Sequence, residues 1–396
     1  MISERIKNLA PSATLMMSQM AGEMKAKGID VINLSVGEPD FATPEHICAA
    51  GKKAIEDGYT RYTPVDGYLS LREAICEKLS RENGLSYSAD EIVVSGGGKQ
   101  GVCNVVMSLI NSGDEVIIPA PYWVSYPQMV ELAEGKSVIV DTSIENNYCM
   151  TAEELESAIT SKTKLLILCS PSNPTGSVYK KEELDRIADV LRRHEQVYIL
   201  SDEIYEHIIF GDAKHYSLAQ YADLRERVIV ANGVSKAYAM TGWRIGWIAA
   251  SKEIVKACKK LQGQQTSCSS SISQKAAEAA YRGSQECVEN MRCAFEKRRD
   301  LVVKLAEEIE GIKLNKPQGA FYLLMDISAY FGKSYDKYTI SSAKDLCLYL
   351  LEEAWVTLVD GAAFGSPKTL RLSYAASEEQ LIEAFKRIKK ALMVLK

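Results

Sequence analysis

The sequence predicts an α/β fold with a second, smaller α+β domain, and three observations carry that expectation. Between about residues 90 and 250, short apolar runs alternate with amphipathic helical patterns, as in a sheet covered by helices on both faces. Unusual polar chemistry follows four of those runs, where open α/β sheets bind ligands. Beyond about Ser270 the pattern shifts to longer helical stretches around fewer strands.

The apolar runs fall at 91–94, 115–118, 137–140, 164–168, 197–200 and 227–230. Each is short, aliphatic or β-branched, and closed by Gly, Pro, Ser, Asn or Asp, so each is expected as a buried parallel strand. Helix starts lie between them. Thr151-Ala152-Glu153-Glu154 reads as a capping box, and a helix over 180–194 follows the Pro174-Thr175-Gly176 turn. Further on, one long helix is expected over 273–308, then a strand within 319–325, with Ser377-Glu378-Glu379-Gln380 capping the last helix. The expected division is a large domain over 45–280 and a small one from 1–44 with 281–396.

Composition narrows the function. The 396 residues are 46% hydrophobic and 25% charged, ordinary globular values, and the net charge of −5 offers no basic face for nucleic acid or an anionic membrane. Ten cysteines contain no C-x-x-C pair and only four histidines accompany them, which argues against structural zinc and for free thiols in a reducing compartment. The N-terminal stretch Met1-Ile2-Ser3-Glu4-Arg5-Ile6-Lys7 has no signal-like apolar run, and no window approaches a membrane span. A soluble cytoplasmic protein without a metal is expected.

The four strand ends carry the chemistry. Ser95-Gly96-Gly97-Gly98-Lys99-Gln100 precedes a helical pattern; alone it reads as a tight turn, but glycines before a helix N-terminus also admit an anion such as phosphate. It is not a Walker A loop, since Val93 and Gln100 stand where that motif needs Gly and Ser/Thr. Cys169-Ser170-Pro171-Ser172-Asn173-Pro174-Thr175-Gly176 is turn vocabulary, with the Asn173 amide as a candidate donor. Asp202 ends a hydrophobic run, either as a cap for the next element or as the carboxylate partner of a cation. Lys236 follows another buried run, with Arg244 eight residues on among Gly and Trp. Most lysines are surface charges, yet lysine forms Schiff bases and burial makes it nucleophilic. An amine, a carboxylate, an arginine and a glycine-rich turn on one sheet edge match what pyridoxal phosphate (PLP) needs.

With those four motifs stand, in order, Pro11-Ser12-Ala13-Thr14, Gly37-Glu38-Pro39-Asp40-Phe41-Ala42-Thr43-Pro44, Arg61-Tyr62-Thr63, Pro121-Tyr122-Trp123-Val124-Ser125-Tyr126 and Leu370-Arg371-Leu372-Ser373-Tyr374. The ordered set resembles the class I aminotransferases of PLP fold type I, in the bacterial aspartate aminotransferase branch, nearly end to end. The resemblance implies a seven-stranded, mainly parallel sheet in the large domain and a homodimer with active sites at the interface. It implies Lys236 as the Schiff-base lysine, Asp202 at the pyridine nitrogen, and Tyr205 and Asn173 at the phenolic oxygen. Trp123 would stack on the ring. Gly97, Gly98, Lys99 and Arg244 would hold the phosphate, with Tyr62 reaching over from the other subunit. Arg371 would clasp the substrate α-carboxylate, and the Gly37 backbone would close over the substrate. Many relatives carry Ser or Thr where this chain has Gly233; either Ser235 supplies that hydroxyl or the phosphate has one donor fewer.

The implied activity is ping-pong transfer of an amino group from an amino acid, aspartate by resemblance, to a 2-oxo acid such as 2-oxoglutarate. Aromatic or broad specificity stays open, as does a C–S β-lyase on the same scaffold. Met16, Met17 and the N-terminal segment are expected to line the side-chain pocket, where methionines could accept aromatic groups. A regulator fused to a DNA-binding module and a Rossmann-type nucleotide binder fit less well: no basic module precedes Gly37 and no G-x-G-x-x-G follows the first strands.

Overall fold

A computed structural model describes residues 2–396; Met1, part of the N-terminal stretch read above, lies outside the described residues. The centre is a seven-stranded sheet of β1 (Ile92–Ser95), β2 (Glu115–Ala120), β3 (Lys136–Asp141), β4 (Thr163–Cys169), β5 (Tyr198–Asp202), β6 (Val228–Gly233) and β7 (Gly246–Ala249). Their order across it is β1-β7-β6-β5-β4-β2-β3. The pairs from β6 through β3 are parallel, and β7 runs antiparallel to both its neighbours.

Period-two alternation divides the sheet between two cores. Val94, Ile117, Leu166 and Ile199 pack with helices Leu69–Asn83 and Ser271–Arg282 on one face. Val93, Val116, Leu165 and Leu200 pack with Gly98–Leu109 and Lys252–Gln265 on the other. A third core joins the two ends of the chain, from Met17 and Leu34 to Phe321, Leu372 and Leu392. There a smaller antiparallel sheet pairs Tyr322–Asp326 with Thr369–Ser373. Ile32–Asn33 runs parallel to Val356–Thr357, and the Ser373 amide donates to the Leu34 carbonyl at 2.8 Å. Those bonds hold the residues just before Gly37 against the strand that carries Arg371.

Three expectations need correction. The 137–140 run is a strand but not a buried one: β3 is the sheet's edge, half exposed along its length. β1 meets only the antiparallel β7, so it is not parallel-paired. The long helix over 273–308 is two, Ser271–Arg282 and Glu286–Glu307. The break falls at Gly283, where a side-chain carbon would meet the Ala279 carbonyl at 2.7 Å and His46 at 2.8 Å. The capping boxes at Thr151 and Ser377 are both formed. Among the described residues no helix is long and apolar enough to cross a membrane.

Behind the sheet's carboxyl edge lies a buried ionic cluster. Lys78, fully buried on Leu69–Asn83, pairs with Glu206 and donates to Asn83 at 2.7 Å. Glu206 also accepts from Asn232 at 2.6 Å and Asn83 at 2.7 Å. Burial alone would raise the Glu206 pKa, but Lys78, His207 and His215 hold it well below the usual carboxylate range. Lys78→Met strands that charge, and its expected cost in urea unfolding is about 3–5 kcal/mol. Lys78→Met with Glu206→Gln should lose much less than the two single losses combined.

Candidate active site

A cavity of about 340 Å³ opens at the carboxyl ends of the parallel strands, where the fold class puts ligands. Asp202, Tyr205, Ser235, Lys236, Asn173 and Arg371 line it, as do Gly37, Gly98, Lys99, Trp123 and Arg244. Residues more than 300 positions apart thus face one space.

Lys236 lies three residues past β6, and its Nζ donates to the Gly37 carbonyl at 2.7 Å. Burial, with Arg371 and Arg244 adding repulsion against the opposing pull of Glu38 and Asp202, brings its pKa down to about 8. The surface reading of this lysine is excluded by that setting. Asp202 closes β5. Tyr126 donates its hydroxyl to Oδ2 at 2.7 Å, and the Ile204 amide donates to Oδ1 at 3.3 Å. The Ile204 bond is a turn contact rather than a helix cap, since no helix directly follows β5. Burial pushes Asp202 up to about 6, with the Tyr126 bond pulling the other way.

The glycine-rich turn is built on close backbone contact. Gly97 has φ 92°, and a side-chain carbon there would collide with the Arg244 guanidinium. Helix Gly98–Leu109 begins at the cavity, with Gly98 and Lys99 of its first turn lining it, a place that favours an anion. Lys99 stands 5.1 Å from the centre of the Trp123 ring, and partial burial with the Arg244 charge lowers its pKa. Arg244 itself donates to the Thr241 carbonyl at 2.8 Å and the Gly96 carbonyl at 3.2 Å. Gly233 also has a physical reason. A side-chain carbon there would lie 2.8 Å from Gly246 Cα and 2.9 Å from the Ile245 carbonyl, so a hydroxyl residue does not fit, while Ser235 faces the cavity.

Arg371 is 2% exposed on strand Thr369–Ser373, between the rings of Tyr322 and Phe364. One terminal nitrogen donates to the Asn173 amide oxygen at 3.0 Å and the other to the Ser35 carbonyl at 2.5 Å. Each keeps a second hydrogen, and buried Nε has no partner. Burial lowers the Arg371 pKa. Such a group is poised for a carboxylate.

Other placements differ from the sequence reading. Tyr62 is 92% exposed and does not line the cavity of its own chain. Met17 is buried in the terminal core and Met16 faces outward, so neither lines the pocket. Ser12, Thr14 and Leu15, around the start of helix Ala13–Ala26, take that place. Tyr126 and Tyr322 were given no role from sequence, yet both line the cavity. Tyr126 reaches Asp202 across 76 positions and the Tyr322 hydroxyl meets that of Tyr205 across 117, and no local spacing signals such pairs.

Comparison with known proteins decides the family. The model of "Aminotransferase class I and II" matches residues 29–388. The chain belongs to the class I and II aminotransferases. A bifunctional aspartate aminotransferase and glutamate/aspartate-prephenate aminotransferase of Petunia hybrida is 50% identical, over 100% of this chain and 83% of that protein. A probable aspartate/prephenate aminotransferase of Rickettsia felis is 49% identical over 98% and 96%. Among solved structures, the aspartate aminotransferase from Rhizobium meliloti superposes with a TM-score of 0.96 at 43% identity, over the whole of both chains. That of Thermus thermophilus with maleate gives 0.93 at 40%, over 99% of each.

The amine of this aminotransferase has a testable titration. In the cofactor-free chain, reductive methylation of Lys236 is expected to rise through a midpoint near pH 8, whereas exposed lysines respond about two units higher. Peptide mass spectrometry across a pH series reads both. A Lys236 midpoint above pH 10 would sink the burial argument.

Proposed function

We propose that this aminotransferase works with pyridoxal phosphate and moves the amino group of an L-amino acid, aspartate first, to a 2-oxo acid, 2-oxoglutarate first. The observation that carries the reading is one cavity holding an amine of lowered pKa, a buried carboxylate and a free-edged arginine. The residues present fit that cofactor chemically. Lys236 offers an amine to an aldehyde, Asp202 a carboxylate to a pyridine nitrogen, and Lys99, Arg244 and the Gly98 helix start a cradle for phosphate.

Bound there, pyridoxal phosphate supplies an aldehyde that takes amino groups and a ring that draws electrons from the substrate's α-carbon. The chain does the rest. Arg371 orients the α-carboxylate, and Asn173 and the Ser35 carbonyl keep its guanidinium flat toward the cavity. Lys236, as a neutral amine, would take the proton from the substrate α-carbon. Asp202 would stabilise a proton on the ring nitrogen, and Tyr126 holds that carboxylate in place. Trp123 would cover the ring, and Tyr205 with Asn173 would serve the phenolic oxygen. Ser12 and Thr14 bring hydroxyls to the cavity beside a helix N-terminus, a setting that favours an anion and supports a substrate with a second carboxylate. The reading includes two domains divided at about 45 and 280, and a homodimer in which Tyr62 of the partner subunit completes the phosphate end.

Lys236→Ala is expected to abolish steady-state turnover, with about 10²–10⁴-fold coming from lost proton transfer alone; full turnover would overturn the assignment. Single-turnover absorbance changes with a panel of amino acids test the substrate. Aspartate should react fastest. An aromatic amino acid in first place replaces that choice, and ammonia and pyruvate from cysteine conjugates without a 2-oxo acid acceptor turn the reading to a β-lyase.

A further inference from the structure

Tyr322 sits where three parts of the site meet. Its hydroxyl is 2.8 Å from that of Tyr205, and its ring lies under the Arg371 guanidinium at 4.6 Å. A side-chain carbon at Gly37 would come within 2.5 Å of its oxygen. Tyr322 is 1% exposed and Tyr205 4%. Strand Tyr322–Asp326 pairs with the strand of Arg371, which fixes the backbone from which the phenol projects.

A hydroxyl has one hydrogen to give, so the 2.8 Å contact holds the hydrogen of only one of the two tyrosines. If Tyr205 spends its hydrogen on Tyr322, it meets the cavity with lone pairs, which repel an anionic oxygen. If Tyr322 donates, the Tyr205 hydrogen is free to point inward. We propose that Tyr322 is a positioning residue that donates to Tyr205 and thereby aims the Tyr205 hydroxyl at the phenolic oxygen of the cofactor. This rests on the role given to Tyr205 above and adds the direction of the hydrogen bond behind it.

The surroundings favour Tyr322 as the donor. Burial raises both phenols, but the Arg371 charge is the leading opposing influence at Tyr322 and the weakest of the influences on Tyr205. The phenol nearer the cation gives its hydrogen more readily. Chains of hydrogen bonds strengthen one another, so a donor behind Tyr205 makes Tyr205 the stronger donor in front. Gly37 makes room for this arrangement while its carbonyl takes the Lys236 amine.

The test is the pH midpoint of the visible absorbance of bound pyridoxal phosphate, which reports the proton at its bond to Lys236. It reads only chain that has folded and bound cofactor, so a lower yield does not blur it. Tyr205→Phe should move the midpoint up by about a pH unit, the loss of one hydrogen bond to a charged oxygen. Tyr322→Phe keeps the ring under Arg371 and should move it up by ~0.3 units, in keeping with modest cooperative strengthening. A downward shift in Tyr322→Phe means that Tyr322 had been drawing the Tyr205 hydrogen away, and no shift means no coupling; either overturns the inference alone. No shift in Tyr205→Phe removes the Tyr205 assignment, and this inference with it.

Discussion

A lysine amine at the end of a buried strand keeps its proton only where enough negative charge faces it, and Lys236 is placed so that the balance falls near neutrality. Burial and two arginines push its proton off, while Glu38 and Asp202 pull it back. The same charges also face the cavity, since Arg371, Arg244 and Asp202 all line it. Removing any of them changes the amine as well as its own contact. Through such coupling an amine, a carboxylate and an arginine, each shifted by burial, meet in one cavity.

That balance needs the backbone to come very close. β7 runs antiparallel between β1 and β6, and Gly246 on it touches the backbone of Gly97 and Gly98. The contact brings the Gly97-Gly98 turn beside the strand that leads to Lys236. Gly233 opposite Gly246 belongs to the same packing. Its lack of a hydroxyl is therefore the price of a tighter sheet, and Ser235 stands on the cavity side instead. On the far face, Asn232 ties the Lys236 segment to Glu206, one residue beyond Tyr205. The two segments that carry the amine and the carboxylate are thus joined behind the site as well as across it.

The parts of this design that were legible in the sequence are those with a local signature. Aliphatic runs ending in Asp202 or leading to Lys236 show as strands because burial on both faces demands a continuous apolar stretch. β7 escaped notice because Gly246-Trp247-Ile248-Ala249 is short and opens on glycine, and its strand character comes from pairing on both sides. The 137–140 run has the composition of a buried strand, yet its place at the edge is set by topology. Tyr126 and Tyr322 carry no local mark, since their partners Asp202 and Tyr205 are reached only through the fold. Met16 and Met17 misled because helical geometry turns Met17, with Ala21, into the core and leaves other residues to face the cavity.

Side-chain preference follows from what the lining cations are already doing. The cavity wall carries Lys99, Lys236, Arg244 and Arg371. In the proposed arrangement Lys99 and Arg244 serve phosphate, Lys236 serves the chemistry and Arg371 the α-carboxylate. Among the described residues no lining cation is then left for a second carboxylate. Discrimination must come from neutral donors such as the Ser12 and Thr14 hydroxyls, or from groups of a second subunit. Hydroxyls hold an anion less tightly than a guanidinium does, yet they accept neutral side chains with less penalty than a buried, unpaired arginine would. A site built this way favours an acidic substrate by degree and admits others, whereas a dedicated arginine would exclude them.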